Sequence, residues 1–315
     1  MDKPRVIFFG TSAFGLPVLA WLYENTSLVA VATSPDKPVG RKQELSSSPV
    51  KQWLGDKQII LLQPNDLKNI YIEQVLKHLS LDVAVVASYG KIIPKNILDI
   101  PRKGFLNLHV SLLPKYRGAA PMQYAIWAGE KVTGVTLFVL DELLDHGPII
   151  SQKEISVDPD ETFESLHKKS EDLSVELLDE SLFKYLSSEI KPREQNHELA
   201  TLAPSFKKED GKIDWQKPAD EIDRQIRALN PWPGTYSKIK MEKSKIKIEE
   251  QGLKIFKVEI SDKKLKPGEV EVDNKRIFIG TGTVALEILE LQVSGGKRMK
   301  AADFAAGVGD KLKLI

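Results

Sequence analysis

The sequence contains no cysteine. That excludes disulfide bonds, thiol nucleophiles and thiolate-held metals. Histidine is scarce. The five residues His78, His109, His146, His167 and His197 show no metal-ligand spacing such as H-E-x-x-H, so no structural metal is expected. Long apolar runs are missing as well: none approaches the roughly 18 residues of a membrane span. The opening MDKPRVIFFG passes from a charged tip straight into a β-rich run. It lacks the apolar core and small-residue cleavage site of an export signal, and the Arg- and Ser-rich start of a transit peptide. A cytoplasmic protein with no membrane partner is expected. What is present is ordinary globular material, with 42% hydrophobic and 28% charged residues. A length of 315 residues accommodates two domains.

The first half alternates strand and helix patterns. RVIFFG, LVAVATS, IILLQ, LDVAVVASYG, GFLNLHV and GVTLFVL read as strands. LPVLAWLYEN, SPVKQWLGDK, NIYIEQVLKHLS and AAPMQYAIWAGE read as helices between them, and a longer helix fits Glu161 to Ser188. Such alternation predicts a Rossmann-like, doubly wound, mostly parallel α/β sheet. A polar stretch with little periodicity follows and reads as a linker. After the helix ADEIDRQIRALN come short alternating runs separated by Gly, Asp and Asn, the pattern of a small antiparallel OB-like β-barrel domain. The expected boundaries are 1–188 for a catalytic domain, 189–206 for the linker and 207–315 for the C-terminal domain. The segment NPWPG, Asn230 to Gly234, is expected to pack at the junction rather than stack on a base.

FFGTSAFGLP sits where a dinucleotide-binding loop would, but Gly10 and Gly15 stand five apart with no glycine between them. G-x-G-x-x-G is not met, and Leu16-Pro17 replaces the Lys-Ser/Thr pair of a P-loop. A tight strand-to-helix turn is the plainer reading.

GFLNLHVSLLP begins as a buried strand and then carries an amide and an imidazole. With period two, Phe105, Asn107, His109 and Ser111 share one face and Leu106, Leu108 and Val110 the other. The polar face emerges at the strand's carboxyl end, where open α/β sheets bind ligands. An Asn that donates to a developing oxyanion beside a His that donates or accepts a proton suits acyl transfer. A pair of core polar groups satisfied by neighbours is the alternative. Asp145, in LDELLDHGPII, follows the next long strand and would orient His109 and favour its charged form, or simply occupy a turn before Gly147.

The combination Asn-x-His-x-Ser-Leu-Leu-Pro-x-x-Arg-Gly with Asp-x-Gly downstream resembles the folate-dependent formyltransferase superfamily. FFGTSAFGLPVL, TSPDKPVGR, SSSPVKQW, DGKIDW, IRALNPWPGTYS, PGEV and LELQVSGGKRM resemble its methionyl-tRNA formyltransferase branch, so the likeness covers nearly the whole chain. The resemblance implies formyl transfer from 10-formyltetrahydrofolate to the methionine amine of initiator methionyl-tRNA, by a monomer in the bacterial cytosol, without a metal. It carries catalytic roles onto Asn107, His109 and Asp145, and tetrahydrofolate binding onto Ser111, Leu112, Leu113 and Pro114. His146 stands where many relatives have Thr, and the Asp-x-Gly pattern is intact.

Residues 207–315 hold 23 Lys and Arg against 18 Asp and Glu, and residues 1–206 hold 22 against 26. On charge alone a solvated Lys-rich surface is the plainer reading of that asymmetry, and a polyanion-binding surface the alternative. The polar stretch Ser34 to Pro49 is expected to be a mobile loop. With the resemblance, Lys37, Arg41 and Lys42 on that loop, and Lys207, Lys238 and Lys240 in the C-terminal part, become candidates for tRNA contact. Rivals are a formyltransferase acting on a small amine such as glycinamide ribonucleotide or an amino sugar nucleotide, a formyl-folate hydrolase, and a non-enzymatic RNA-binding protein.

Overall fold

The computed structural model describes residues 3–39, 43–244, 247–308 and 312–314. They form two compact units. The first comprises Met1–Pro121, Val132–Ser156 and Leu166–Pro204, the second Met122–Lys131, Val157–Ser165 and Ser205–Ile315.

The first unit is built on a seven-stranded sheet. β1 (Arg5–Gly10) leads through a turn into α1 (Leu16–Asn25), which starts with a proline in its first turn, where no intrahelical N–H is lost. β2 (Ser27–Ala32) follows, then the short strands β3 (Lys37–Val39) and β4 (Glu44–Ser46). α2 (Pro49–Leu54) is capped by Ser48, whose hydroxyl accepts from the Lys51 N–H, and leads to β5 (Ile60–Leu62). α3 (Ile70–His78) is capped by Asn69, and β6 (Val83–Ala87), α4 (Lys95–Leu98), β7 (Phe105–His109) and α5 (Pro121–Ala128) come next. β8 (Val132–Val139), β9 (Ile149–Ser156) and α6 (Phe163–Leu186) complete this part of the chain, of which α5 beyond Pro121 and the first three residues of α6 belong to the second unit.

The strand order is β5-β2-β1-β6-β7-β8-β9. Neighbours from β5 to β7 run parallel, and β7, β8 and β9 pair antiparallel. β1 is buried on both faces: Ile7 and Phe9 join one cluster with Phe105 and Tyr89, while Val6 and Phe8 are equally inaccessible on the other. The chain moves outward from β1 to β2 and β5, then returns to the far side of β1 with β6. That reversal opens a crevice at the carboxyl ends of the parallel strands, and β7 delivers His109 to the same edge.

Three sequence expectations are corrected here. The presumed loop Ser34–Pro49 contains the antiparallel pair β3 and β4, because Lys37–Val39 and Glu44–Ser46 satisfy each other's backbone groups. β9 had no strand assigned; it is a half-exposed edge strand whose polar residues obscure its pattern. The linker stretch is tied down as far as Pro204: Arg193 bridges to Ile149 and Leu202 to Arg117.

In the second unit α7 (Ala219–Leu229) buries Ile222, Ile226 and Leu229. The sheet contains β10 (Thr235–Ser244), β11 (Lys247–Ile260), β12 (Val270–Asp273), β13 (Arg276–Ile279) and β14 (Leu286–Val293), followed by β15 (Met299–Lys300), α8 (Ala301–Val308) and β16 (Leu312–Leu314). Its order is β12-β13-β14-β11-β10-β16, with β15 on β14, and the terminal strands β12 and β16 approach one another. The antiparallel sheet thus curls around one core that includes Trp215, Ile239, Leu253, Ile277 and Leu291. The alternating runs SKIKIEE and LKIFKVEI read as two strands, but from Lys247 to Ile260 the chain is one long strand, β11; Ser244 ends β10, and Lys245 and Ile246 lie outside the described residues. α8 had not been expected; Ala301 and Ala305, one turn apart, put its small face into the core. In NPWPG, Trp232 is 65% exposed while Pro233 and Gly234 are buried. Asn230 anchors the turn, donating from Nδ2 to the carbonyls of Ile226 (2.8 Å) and Ile255 (3.1 Å).

The two glycines of FFGTSAFG allow close packing. A Cβ on Gly10 would strike the buried Phe8 ring and lie 2.9 Å from the Ala87 carbonyl oxygen, and one on Gly15 would press on the same two groups. Gly10→Ala is therefore expected to destabilise the protein by about 1–3 kcal/mol, read from the urea midpoint at constant slope.

Candidate active site

β7 alternates as its sequence requires. Leu106 and Leu108 are buried in the sheet, and Asn107 lies between Val86 of β6 and Phe138 of β8. The Asn107 side chain is only half-buried, and its carboxamide has no hydrogen-bond partner among the described residues. Two residues on, His109 is 6% exposed and pairs in register with Thr136. Its Nε2 lies 2.9 Å from the Tyr116 carbonyl oxygen. A carbonyl only accepts, so Nε2 carries the hydrogen. Nδ1 faces Asp145 Oδ2 at 3.6 Å, beyond hydrogen-bond length. Nδ1 donates in that direction only when the ring holds its second proton.

Asp145 lies in the β8–β9 loop and is buried, with its backbone in the left-handed region at φ +46°. Asp tolerates that region better than most residues, though still at a cost. Two glycines permit the arrangement. At Gly147 any Cβ would run into the Val139 carbonyl oxygen. Gly118, at φ +128°, donates its N–H to Asp145 Oδ2 at 2.7 Å, and a Cβ there would sit 2.5 Å from the Ala203 carbonyl oxygen. The backbone of Arg117 is meanwhile paired with a distant stretch: its N–H donates to Thr201 and its carbonyl accepts from Ala203.

The Arg117 side chain is buried against the same stretch. One terminal nitrogen donates to Gln195 Oε1 at 2.7 Å and to His197 Nδ1 at 2.8 Å, while Nε has no partner. Arg only donates, so His197 accepts at Nδ1. The His197 ring lies flat on His146, centroids 4.0 Å apart, and His146 Nδ1 meets Asp141 Oδ2 at 2.6 Å. Gln195 Nε2 donates to the carbonyls of Asp145 (3.0 Å) and Gly147 (2.8 Å).

The turn Ser111 to Pro114 follows His109 directly. Ser111 is buried and its hydroxyl donates to the Lys115 carbonyl at 2.6 Å. The Thr136 hydroxyl donates to the Ser111 carbonyl and accepts from the Leu113 N–H. Gln152 donates to the Leu113 carbonyl and is held in turn by Arg193. Leu113 packs with Phe138 and Ile149, Leu112 lies against Gly134, and Pro114 is partly exposed. The structure therefore gathers Asn107, His109, Asp145 and the 111–114 turn towards the carboxyl end of β7.

Lys37 is exposed on β3, and Arg41 and Lys42 lie outside the described residues. Lys207 and Lys238 are exposed in the second unit, and Lys240 sits on β10. Sequence reasoning missed the supports. Gly118 and Arg117 carried a signal in the Arg-Gly of the motif, as did Gly147 in Asp-x-Gly. Gln195, in a polar stretch, carried none.

Comparison with known proteins bears on what this arrangement serves. The formyl transferase family profile matches residues 4–182, and the formyl transferase C-terminal domain matches residues 205–309. The chain belongs to the formyl transferase family. It is 40% identical over 308 residues to the methionyl-tRNA formyltransferase of Myxococcus xanthus, covering 98% of this chain and 96% of that one. It is 41% identical over 303 residues to the enzyme of that name from Thermodesulfovibrio yellowstonii, covering 96% of this chain and 95% of that one. Among solved structures, the fold matches an N-formyltransferase from Helicobacter canadensis in complex with folinic acid and dTDP-3-aminofucose. The TM-score is 0.67 at 18% identity, over 95% of this chain and 100% of that one. It also matches HypX from Aquifex aeolicus in complex with tetrahydrofolic acid, with a TM-score of 0.65 at 17% identity over 98% of this chain and 48% of the larger one.

Because Gly118 combines a positive φ with contact against Ala203, Gly118→Ala should cost about 1–3 kcal/mol of stability, read by urea unfolding. Loss of less than about 0.5 kcal/mol would mean that the 117–118 and 201–203 segments separate readily.

Proposed function

We propose that this chain transfers the formyl group of 10-formyltetrahydrofolate to the α-amino group of methionine on initiator methionyl-tRNA. The observation that carries this reading is identity near 40% with enzymes of that name along almost the whole length, through both units. The neighbour crystallised with an amino sugar nucleotide is far more distant in sequence and speaks for the fold alone.

The half-buried, unengaged carboxamide of Asn107 supports a role as donor to the formyl oxygen as charge gathers there. His109 serves as the second polar group. Its Nε2–H is held by the Tyr116 carbonyl, so reaching a substrate oxygen requires sharing or releasing that bond. Asp145 Oδ2 stands 3.6 Å from the ring's Nδ1 and serves to position the imidazole. The neutral amine attacks the formyl carbon and the new C–N bond forms. The bond to N10 of the folate breaks, and the amine's proton is relayed towards the departing nitrogen. The turn Ser111–Pro114, fixed by Thr136 and Gln152, offers a rigid wall for the folate.

For the tRNA, Lys37, Arg41 and Lys42 in the β3–β4 region are assigned to its acceptor end, since unstacked ends are where proteins read RNA. Lys207, Lys238 and Lys240 are assigned to its phosphates. Several other cations of the second unit are already committed internally: Arg276 pairs with Glu287, and Lys263 with Glu271 and Asp273. Lys207 and Lys238 have no ion-pair partner among the described residues. The chain is read as a monomer of the bacterial cytosol.

The test is a formylation assay offering charged initiator tRNA, charged elongator tRNA, glycinamide ribonucleotide and a dTDP-amino sugar. Initiator tRNA should be the preferred acceptor, and preference for either small amine would sink the reading. In the same assay Asn107→Ala and His109→Ala should each lower kcat by roughly 10²-fold or more. Wild-type turnover in either variant removes that residue from the chemistry. Affinity for tRNA should fall steeply between low and moderate salt. Lys207→Ala with Lys238→Ala should flatten that slope by about two phosphate contacts; an unchanged slope returns these lysines to a solubility role.

A further inference from the structure

We propose that Gln195 is a positioning residue of the formyl-transfer site, seating Asp145 by clamping the backbone on which that carboxylate turns. The proposal rests on the reading that Asp145 serves the chemistry.

Gln195 is 5% exposed, while its neighbours Glu194, Asn196 and His197 are all exposed. One side chain of a polar, irregular stretch is thus turned inward, where an amide is tolerated only if its hydrogen bonds are made. They are. The two Nε2 hydrogens go to the carbonyls of Asp145 and Gly147, and Oε1 accepts from Arg117. Among the described residues no other donor reaches either carbonyl.

These contacts bracket the strained part of the loop. Asp145 holds φ +46°, and the residue two further on must be glycine because of the Val139 carbonyl. The carboxylate itself is gripped from the opposite direction by the Gly118 N–H, and Gly118 adjoins the Arg117 that Gln195 binds. One amide therefore connects the backbone under Asp145 to the segment that orients its carboxylate. The separation of Asp145 Oδ2 from His109 Nδ1, 3.6 Å, depends on both grips. Displacing a catalytic group by about 1 Å costs on the order of 10² in rate. The acidic partner of a buried imidazole is a group for which such displacement matters.

The test uses Gln195→Glu and Gln195→Met in the full-length chain. Glu keeps an acceptor for Arg117 but removes the paired donors. Met keeps the length and removes both functions. In each, kcat for formylation of initiator methionyl-tRNA should fall about tenfold or more, with KM for both substrates within about twofold. Hydrogen exchange of the Gly118 amide should quicken about tenfold or more, while amides of β1 and β6 keep their wild-type rates. Exchange is measured without substrate, so it judges the clamp even if the wild-type protein prefers another acceptor. An unchanged Gly118 exchange rate in both variants overturns the proposal. So does exchange that quickens equally throughout the first unit, because Gln195 would then be a general stabiliser. Wild-type kcat in both variants, with initiator tRNA confirmed as substrate, also overturns it.

Discussion

The backbone N–H of Gly118 donates to the Asp145 carboxylate, and much of the first unit is arranged so that it can. A carboxylate buried next to an imidazole needs a hydrogen-bond donor that cannot wander, and a main-chain amide provides one at no cost in side-chain entropy. To present that amide, the chain at 117–118 pairs with 201–203 so closely that no Cβ fits at position 118. To receive it, the β8–β9 loop adopts a left-handed residue and a compulsory glycine. The Arg-Gly and Asp-x-Gly signatures are thus two halves of one joint. Neither glycine contributes a side chain, yet both determine where the carboxylate sits.

The mixed sheet serves the same end. β8 and β9 pair antiparallel beyond β7 and bring Thr136 and Gln152 within reach of the 111–114 turn that follows β7. The parallel half supplies a crevice typical of doubly wound sheets, and the antiparallel edge supplies short-range scaffolding for the turn that opens onto it.

Much of this was legible in the residues because it follows simple periods. α1 and α7 occupy almost the spans that their apolar spacing indicates, and the face shared by Asn107 and His109 follows from strand alternation. The resemblance to a known superfamily singled out Asp145 among many turn aspartates. What stayed hidden was long-range or context-dependent. β9 is an edge strand with a polar outer side, and α8 is an Ala-rich helix too short to show a stripe. β3 and β4 are three residues each. Gln195 resembles any solvated glutamine until the fold shows the two carbonyls above it.

The pairing of residues 117–118 with 201–203 also has a temporal side. During synthesis the ribosome releases Asn107, His109 and Asp145 well before Gln195, which follows Asp145 by 50 positions. Domains emerge and compact from the N-terminus, at some 5–20 residues per second. For several seconds, then, a nascent chain can hold every strand of the first sheet and all three polar side chains of the site, yet lack the stretch that seats Asp145. A chain cut at Ser188, just past the long helix, never gains that stretch. In this fold the site matures last, and it is completed by a segment that forms part of neither the sheet nor its covering helices.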